Sequence, residues 1–166
     1  MYIFYTAGSY AKPIIRTYAN VFNNAIRNNA CIFLPSIFIS EFINAYIRAE
    51  YKRYLHCNGL NATSFDFKKK YKKLQDYIIT VQDVSNIVNN QLLSMCYKLD
   101  DNFSTIDITN IFENEPNFDF NDRYYIELAK KNNLKIVTND ADFLVDDQVD
   151  IITYNSVLLS KINVQV

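Results

Sequence analysis

The sequence predicts an α/β fold in which a parallel sheet is layered between helices, and three observations carry that expectation. From Pro13 to Tyr46, apolar residues at helical spacing give way to a short apolar run and then to helical spacing again. The stretch from Asn117 to Phe143, NFDFNDRYYIELAKKNNLKIVTNDADF, has a similar order: a loop, an amphipathic helix, a buried strand and an acidic turn. Only two Gly and three Pro occur in 166 residues, which favours long helices over the tight hairpins of an all-β protein.

Met1 to Tyr5 is apolar and aromatic and is broken by Gly8 and Ser9. Pro13 suits a first helical turn, and Ile14, Tyr18, Val21, Phe22, Ala25 and Ile26 mark a helix to about Arg27, stopped by Asn28 and Asn29. Cys31 to Leu34 reads as a short buried strand ending at Pro35, and Ser36 as the cap of a second helix carrying Phe38, Glu41, Phe42, Ala45 and Tyr46. After a loop containing Gly59, the residues Phe67, Tyr71, Leu74, Ile78 and Val81 mark one helical face. Val84, Ile87, Val88, Leu92 and Met95 continue it, so a long helix or a helical hairpin is expected. Ile106, Ile108 and Ile111 alternate with polar neighbours and predict a strand within 103–112. The central helix starts near Asn121, with Asp119 at its capping position, and Tyr125, Leu128 and Ala129 form its apolar face. Asn132 and Asn133 end that helix, and Leu134, Ile136 and Val137 form the next strand. A last strand near 149–153 and a helix from Asn155 to Lys161 close the sheet.

The length suits one domain with a sizeable core, spanning 1–166, with a helical, Lys-rich extension at about 50–98. Formal net charge is -1, so any contact with nucleic acid must come from a local patch. The one basic concentration is Lys68, Lys69, Lys70, Lys72 and Lys73, preceded by Arg48, Lys52 and Arg53. It reads either as a solvated helix face or as a contact to an RNA backbone, with Tyr51, Tyr54 and Tyr71 interleaved to stack on bases. Cys31, Cys57 and Cys96 lack metal-ligand spacing and His56 is the only histidine, which disfavours a zinc site or a disulfide framework. Reduced thiols in a cytoplasmic protein are expected instead. No apolar run approaches the roughly 20 residues that span a bilayer, so no membrane partner is expected, and the start MYIFYTAGS lacks the basic region of a signal peptide.

Two phrases, DFNDRYYIELA from Asp119 to Ala129 and KIVTNDADF from Lys135 to Phe143, resemble the PIN domain, a family of metal-dependent nucleases that includes the VapC-like toxins of bacterial toxin-antitoxin pairs. With LPSIFISEF around Glu41, the likeness covers roughly half the chain. It implies a PIN-like three-layer sandwich with a central parallel sheet and flanking helices. It also implies an endoribonuclease using Mg2+ or Mn2+, with RNA as substrate and an antitoxin protein and a homodimer as partners. By the same resemblance Glu41, Asp122 and Asp140 ligate the metal and carry catalysis, and Asp142 is an auxiliary ligand. Thr138 and Asn139 orient ligands or touch phosphate, and Lys68, Lys69 and Lys72 are the RNA-contact candidates. Read without the resemblance, Glu41 stands among apolar neighbours, where it either needs a compensating cation or favours the helix dipole from a first-turn position.

PIN domains open with a central strand ending in Asp, commonly Asp-Thr-Asn, and this chain has no acidic residue before Glu41. Either the chain as given begins just after that acid, which would also remove a central strand and leave neighbouring strand edges unpaired, or Tyr5 and Thr6 stand in its place. Three carboxylates hold a metal less tightly than four and orient the attacking water less well. The alternative expectation is therefore a catalytically silent PIN-like module that binds RNA or protein. A receiver-like or phosphatase-like domain also uses acidic strand ends, but it needs a first-strand acid and a late-strand Lys that are not evident here.

Overall fold

A computed structural model describes residues 12–112, 119–141, 143 and 148–163. Their elements run α1 Lys12–Arg27, β1 Phe33–Pro35, α2 Ser36–Cys57, a 3-10 turn Tyr71–Lys73, α3 Gln75–Ile87, a π-helical turn Val88–Leu92 and α4 Leu93–Met95. There follow β2 Tyr97–Leu99, a 3-10 turn Phe103–Thr105, α5 Ile108–Phe112, α6 Phe120–Asn132, β3 Ile136–Val137, β4 Ile151–Ile152 and α7 Ser156–Asn163. The fold is mixed α/β, with two small two-stranded parallel sheets among the described residues, β1 with β2 and β3 with β4. Among the same residues no helix is long and apolar enough to cross a membrane.

The chain divides into two compact units. Of the described residues, 12–19 and those from 101 onward form one, and 20–100 form the other.

In the first unit, α6 is delimited by its own sequence. Asp119 is the N-cap, and its carboxylate accepts from the backbone N–H of Asn121 at 2.8 Å and of Asp122 at 3.4 Å. At the other end Asn133 takes a left-handed conformation, φ 50°, and the amides of Asn133 and Leu134 bond back to Lys130 and Ala129. Leu134 then packs beside Ala129 in a core of Ile126, Ala129, Phe143, Val149 and Leu158. The helix ends where Asn tolerates the turn, and the apolar residue after the turn anchors it. The strands that follow pair in register, Ile136 with Ile151 and Val137 with Ile152.

In the second unit, β1 and β2 pair Phe33 with Tyr97, Leu34 with Lys98 and Pro35 with Leu99. An aromatic core lies between the end of α2 and the turn after it. Tyr51, Leu55 and Tyr71 are buried there, and Tyr54, Leu60, Phe65, Phe67, Leu74 and Tyr77 pack around them. Gly59, at φ 61°, provides the left-handed end of α2. The amide of Leu60 bonds to the carbonyl of Leu55, so the chain re-enters that core directly.

Several expected elements differ. Residues 103–112 form a 3-10 turn and α5 rather than a strand, and the strand lies earlier, at Tyr97–Leu99. Ile108 and Ile111 are three apart, a helical spacing that strand alternation does not give, and Ile111 becomes fully buried on α5. Phe67, Tyr71 and Leu74 precede α3 instead of riding on it, so no single long helix forms. The inward face is Thr80, Val84, Val88 and Leu92, each a step of four, while Ile78, Val81 and Met95 are exposed. The π-helical turn holds this face in phase from Val88 to Leu92. Helix α2 already includes Ser36, and Pro35, at φ -71°, holds the N-cap position. Cys31 and Cys57 are exposed free thiols, and Cys96 is a buried one whose pKa burial raises.

Candidate functional site

The carboxyl ends of β3 and β4 are where chemistry-bearing groups gather in the first unit. Parallel pairing carries both strands to the same side, by bonds from the Ile136 amide to the Asp150 carbonyl at 2.9 Å and from the Thr138 amide to the Ile152 carbonyl at 3.1 Å. Thr138, Asn139 and Asp140 leave β3, and Thr153, Tyr154 and Asn155 leave β4. The Thr138 hydroxyl accepts from the Asp140 amide at 3.1 Å, which closes a tight turn and leaves the Asp140 residue exposed to solvent.

Tyr18 ties these two strand ends together. It is 3% exposed, and its phenol oxygen lies 2.9 Å from the Thr138 carbonyl and 2.9 Å from Asn139 Oδ1, with one proton to donate between them. The same oxygen accepts from the Tyr154 amide at 2.9 Å. Asn155 adds a second tie. Its Nδ2 donates to the Asn139 carbonyl at 3.0 Å, while its Oδ1 accepts from the Val157 and Leu158 amides and so caps α7. Lys161 then donates from Nζ to the Ala141 carbonyl at 2.6 Å. The strand-end turn is therefore held from α1, β4 and α7.

Asp122 is the third residue of α6, in its first turn, where a carboxylate is favoured by the helix dipole. Ile126, one turn further along α6, and Phe143, three residues after Asp140, belong to one core cluster. Glu41 lies on α2 in the second unit and is half-buried. It is the sixth residue of that helix, whose first turn carries no acid, so the first-turn dipole reading of Glu41 is corrected. Asp142 and the apolar segment Met1 to Tyr5, with Thr6, lie outside the described residues. Among the described residues no group of three or more His, Cys, Asp or Glu side chains is placed to hold a metal ion.

The lysine run does not lie on a regular helix face. Lys68, Lys69 and Lys70 are in the turn before the 3-10 segment that carries Lys72 and Lys73, and all five are exposed. The expectation that Tyr51 and Tyr71 stack on bases is overturned by their burial, 6% and 0% exposed. Tyr51 donates to the Phe65 carbonyl, and the Tyr71 hydroxyl donates to Asp76 at 2.7 Å and lies 3.2 Å from the Thr80 hydroxyl. Burial, countered in part by Thr80 and reinforced by Asp76, pushes the Tyr71 pKa up to about 12.

Sequence reasoning missed Tyr18, Tyr154, Asn155 and Lys161 as parts of this site. The signal for Tyr18 was present: a tyrosine on the inward face of a helix must find a hydrogen-bond partner for its hydroxyl. No protein-family model, no curated protein and no solved structure matches the chain significantly.

Proposed function

We propose that this chain is a PIN-type endoribonuclease dependent on Mg2+ or Mn2+, the toxin half of a toxin-antitoxin pair, built on a three-layer sandwich. The observation that carries the reading is the strand-end turn of Thr138, Asn139 and Asp140, delivered by a parallel strand pair and preceded by a helix with Asp122 in its first turn. The donor chemistry fits a hard dication: an exposed carboxylate, a half-buried carboxylate and neighbouring hydroxyl and amide oxygens. In this reading Asp140 and Asp122 would hold the ion, with Asp142 assisting. A dication held there would supply an activated water for attack on a phosphodiester and would offset charge developing on the phosphoryl oxygens. Tyr18 and Asn155 keep the turn in place.

Thermal denaturation in Mg2+ or Mn2+ tests it. At a concentration 100 times Kd, binding adds about 2.7 kcal/mol, or roughly 5–11 °C in Tm for a chain of this size. Asp140→Asn abolishes that rise and also RNA cleavage. Identical melting with and without 10 mM of either ion, together with intact RNA, refutes it. A second reading, a catalytically silent PIN-like module binding RNA or protein, is supported by the exposed side chains of Lys68, Lys69 and Lys72. It predicts RNA or protein binding with no cleavage in Mn2+.

A further inference from the structure

The second unit carries a cationic surface built on an aromatic base. Residues 48–73 hold eight of the chain's 17 Lys and Arg but only Glu50 and Asp66 of its 18 acids, in a chain whose net charge is -1. Three of these cations sit over one aromatic cluster. The Arg48 guanidinium lies 4.3 Å from the Phe67 ring centre, and Lys72 Nζ lies 5.5 Å from the same ring and 5.7 Å from Tyr77. Lys70 Nζ lies 5.6 Å from Phe65 and donates to the Ser64 carbonyl at 2.8 Å. The rings are themselves locked: Phe67 stacks against Tyr71 at 5.8 Å and meets Tyr51 edge-on at 5.2 Å. Long cationic side chains held over fixed rings lose less rotamer freedom on meeting a ligand than free ones.

What this surface lacks decides its partner. Every Leu, Phe and Tyr between 48 and 73 is buried or half-buried, so no apolar anchor projects of the kind a protein interface is centred on. Its Phe and Tyr rings are covered in the same way, which leaves His56 as the one exposed ring between 48 and 73. Charge and N–H donors remain, and these suffice for a phosphate backbone. We propose that the 48–73 surface docks the phosphate backbone of a nucleic acid and reads no bases. This stands apart from the nuclease reading, because it requires neither metal nor cleavage.

Fluorescence anisotropy of the full chain in EDTA, with labelled 20-nucleotide U, A and dU single strands, tests the proposal. The three strands are expected to bind within about threefold of one another. Because log K for single strands falls by roughly 0.7 per phosphate neutralised per decade of salt, contacts from three to five cations give a slope of about -2 to -3.5. Reversing Lys68, Lys69 and Lys72 to Glu should weaken binding at least tenfold and flatten the slope by about 2. A second variant, K68A/K69A/K73A, leaves the Arg48, Lys70 and Lys72 ring contacts in place and should weaken binding less, with unchanged circular dichroism. The proposal is overturned by no binding at low salt, by a tenfold preference among the three strands, or by unaltered affinity and slope in both variants. Because EDTA is present throughout, a failure here leaves the nuclease test untouched.

Discussion

Replacing Tyr18 by Phe removes one oxygen and keeps the ring, so it isolates what the hydroxyl contributes. That oxygen is 2.9 Å from each of three partners, the Tyr154 amide, the Thr138 carbonyl and Asn139 Oδ1, in a side chain 3% exposed. It makes one donated and one accepted hydrogen bond at a time, each contributing about 1 kcal/mol net, so the loss is about 2 kcal/mol before water re-enters at the solvent side. For a chain of this length that lowers Tm by roughly 4–8 °C. The sharper readout is amide hydrogen exchange. The Tyr154 N–H loses its acceptor and should exchange faster by more than the roughly 30-fold that a global loss of about 2 kcal/mol gives. The Asn121 amide, held by Asp119 at 2.8 Å, should change only by the global loss. Equal exchange at Tyr154 in the two proteins, with Tm within about 1 °C, would refute the role of the hydroxyl as the tie between the strand ends.

Asp119→Ala removes the acceptor for two first-turn amides of α6 and should cost about 0.5–2 kcal/mol, read as a lower denaturation midpoint with unchanged m-value. Asn133→Ala places a β-carbon in a left-handed conformation and should destabilise by about 1 kcal/mol, whereas Asn133→Gly should be neutral or stabilising. Paired urea melts distinguish the two. Tyr71 is protonated in the folded chain up to about pH 12, above the ordinary tyrosine value of 10.0. Its contribution is therefore complete below pH 10 and is lost as pH rises toward 12, because the unfolded chain releases the proton first. Burial also raises the pKa values of Tyr46 and Tyr124, so spectrophotometric titration of wild type should show several late tyrosinates. One of them is absent from Tyr71→Phe, and the variant should lose less stability over that interval.

What could be read in advance was what neighbours in sequence decide. Asp119, the Asn132-Asn133 pair and the apolar run after it delimit α6 and β3 through local hydrogen bonds, so their boundaries were visible. Asn155 and the last helix were visible for the same reason. Residues 103–112 were misread because Ile106 and Ile108, two apart, suit a strand while Ile108 and Ile111, three apart, suit a helix, and packing of Ile111 decides between them. Residues 67–95 were misread because Thr80, a polar residue, lies on the inward face. Its hydroxyl meets Tyr71, a pairing nine residues apart that no hydropathy pattern reports. At the site, Asp140 and its turn were legible from a strand running into acids. The tie from Tyr18 spans 120 residues to Thr138 and depends wholly on how the chain packs.

The crowding of cations into 48–73 also shapes how the protein behaves toward charged matrices. Nine Lys and Arg against sixteen Asp and Glu remain elsewhere in the sequence, so a near-neutral total conceals two opposed fields. Such a polyampholyte should be retained at pH 7 and low conductivity by both sulfonate and quaternary-amine resins, and its solubility should rise with added salt as attraction between oppositely charged regions of different molecules is screened.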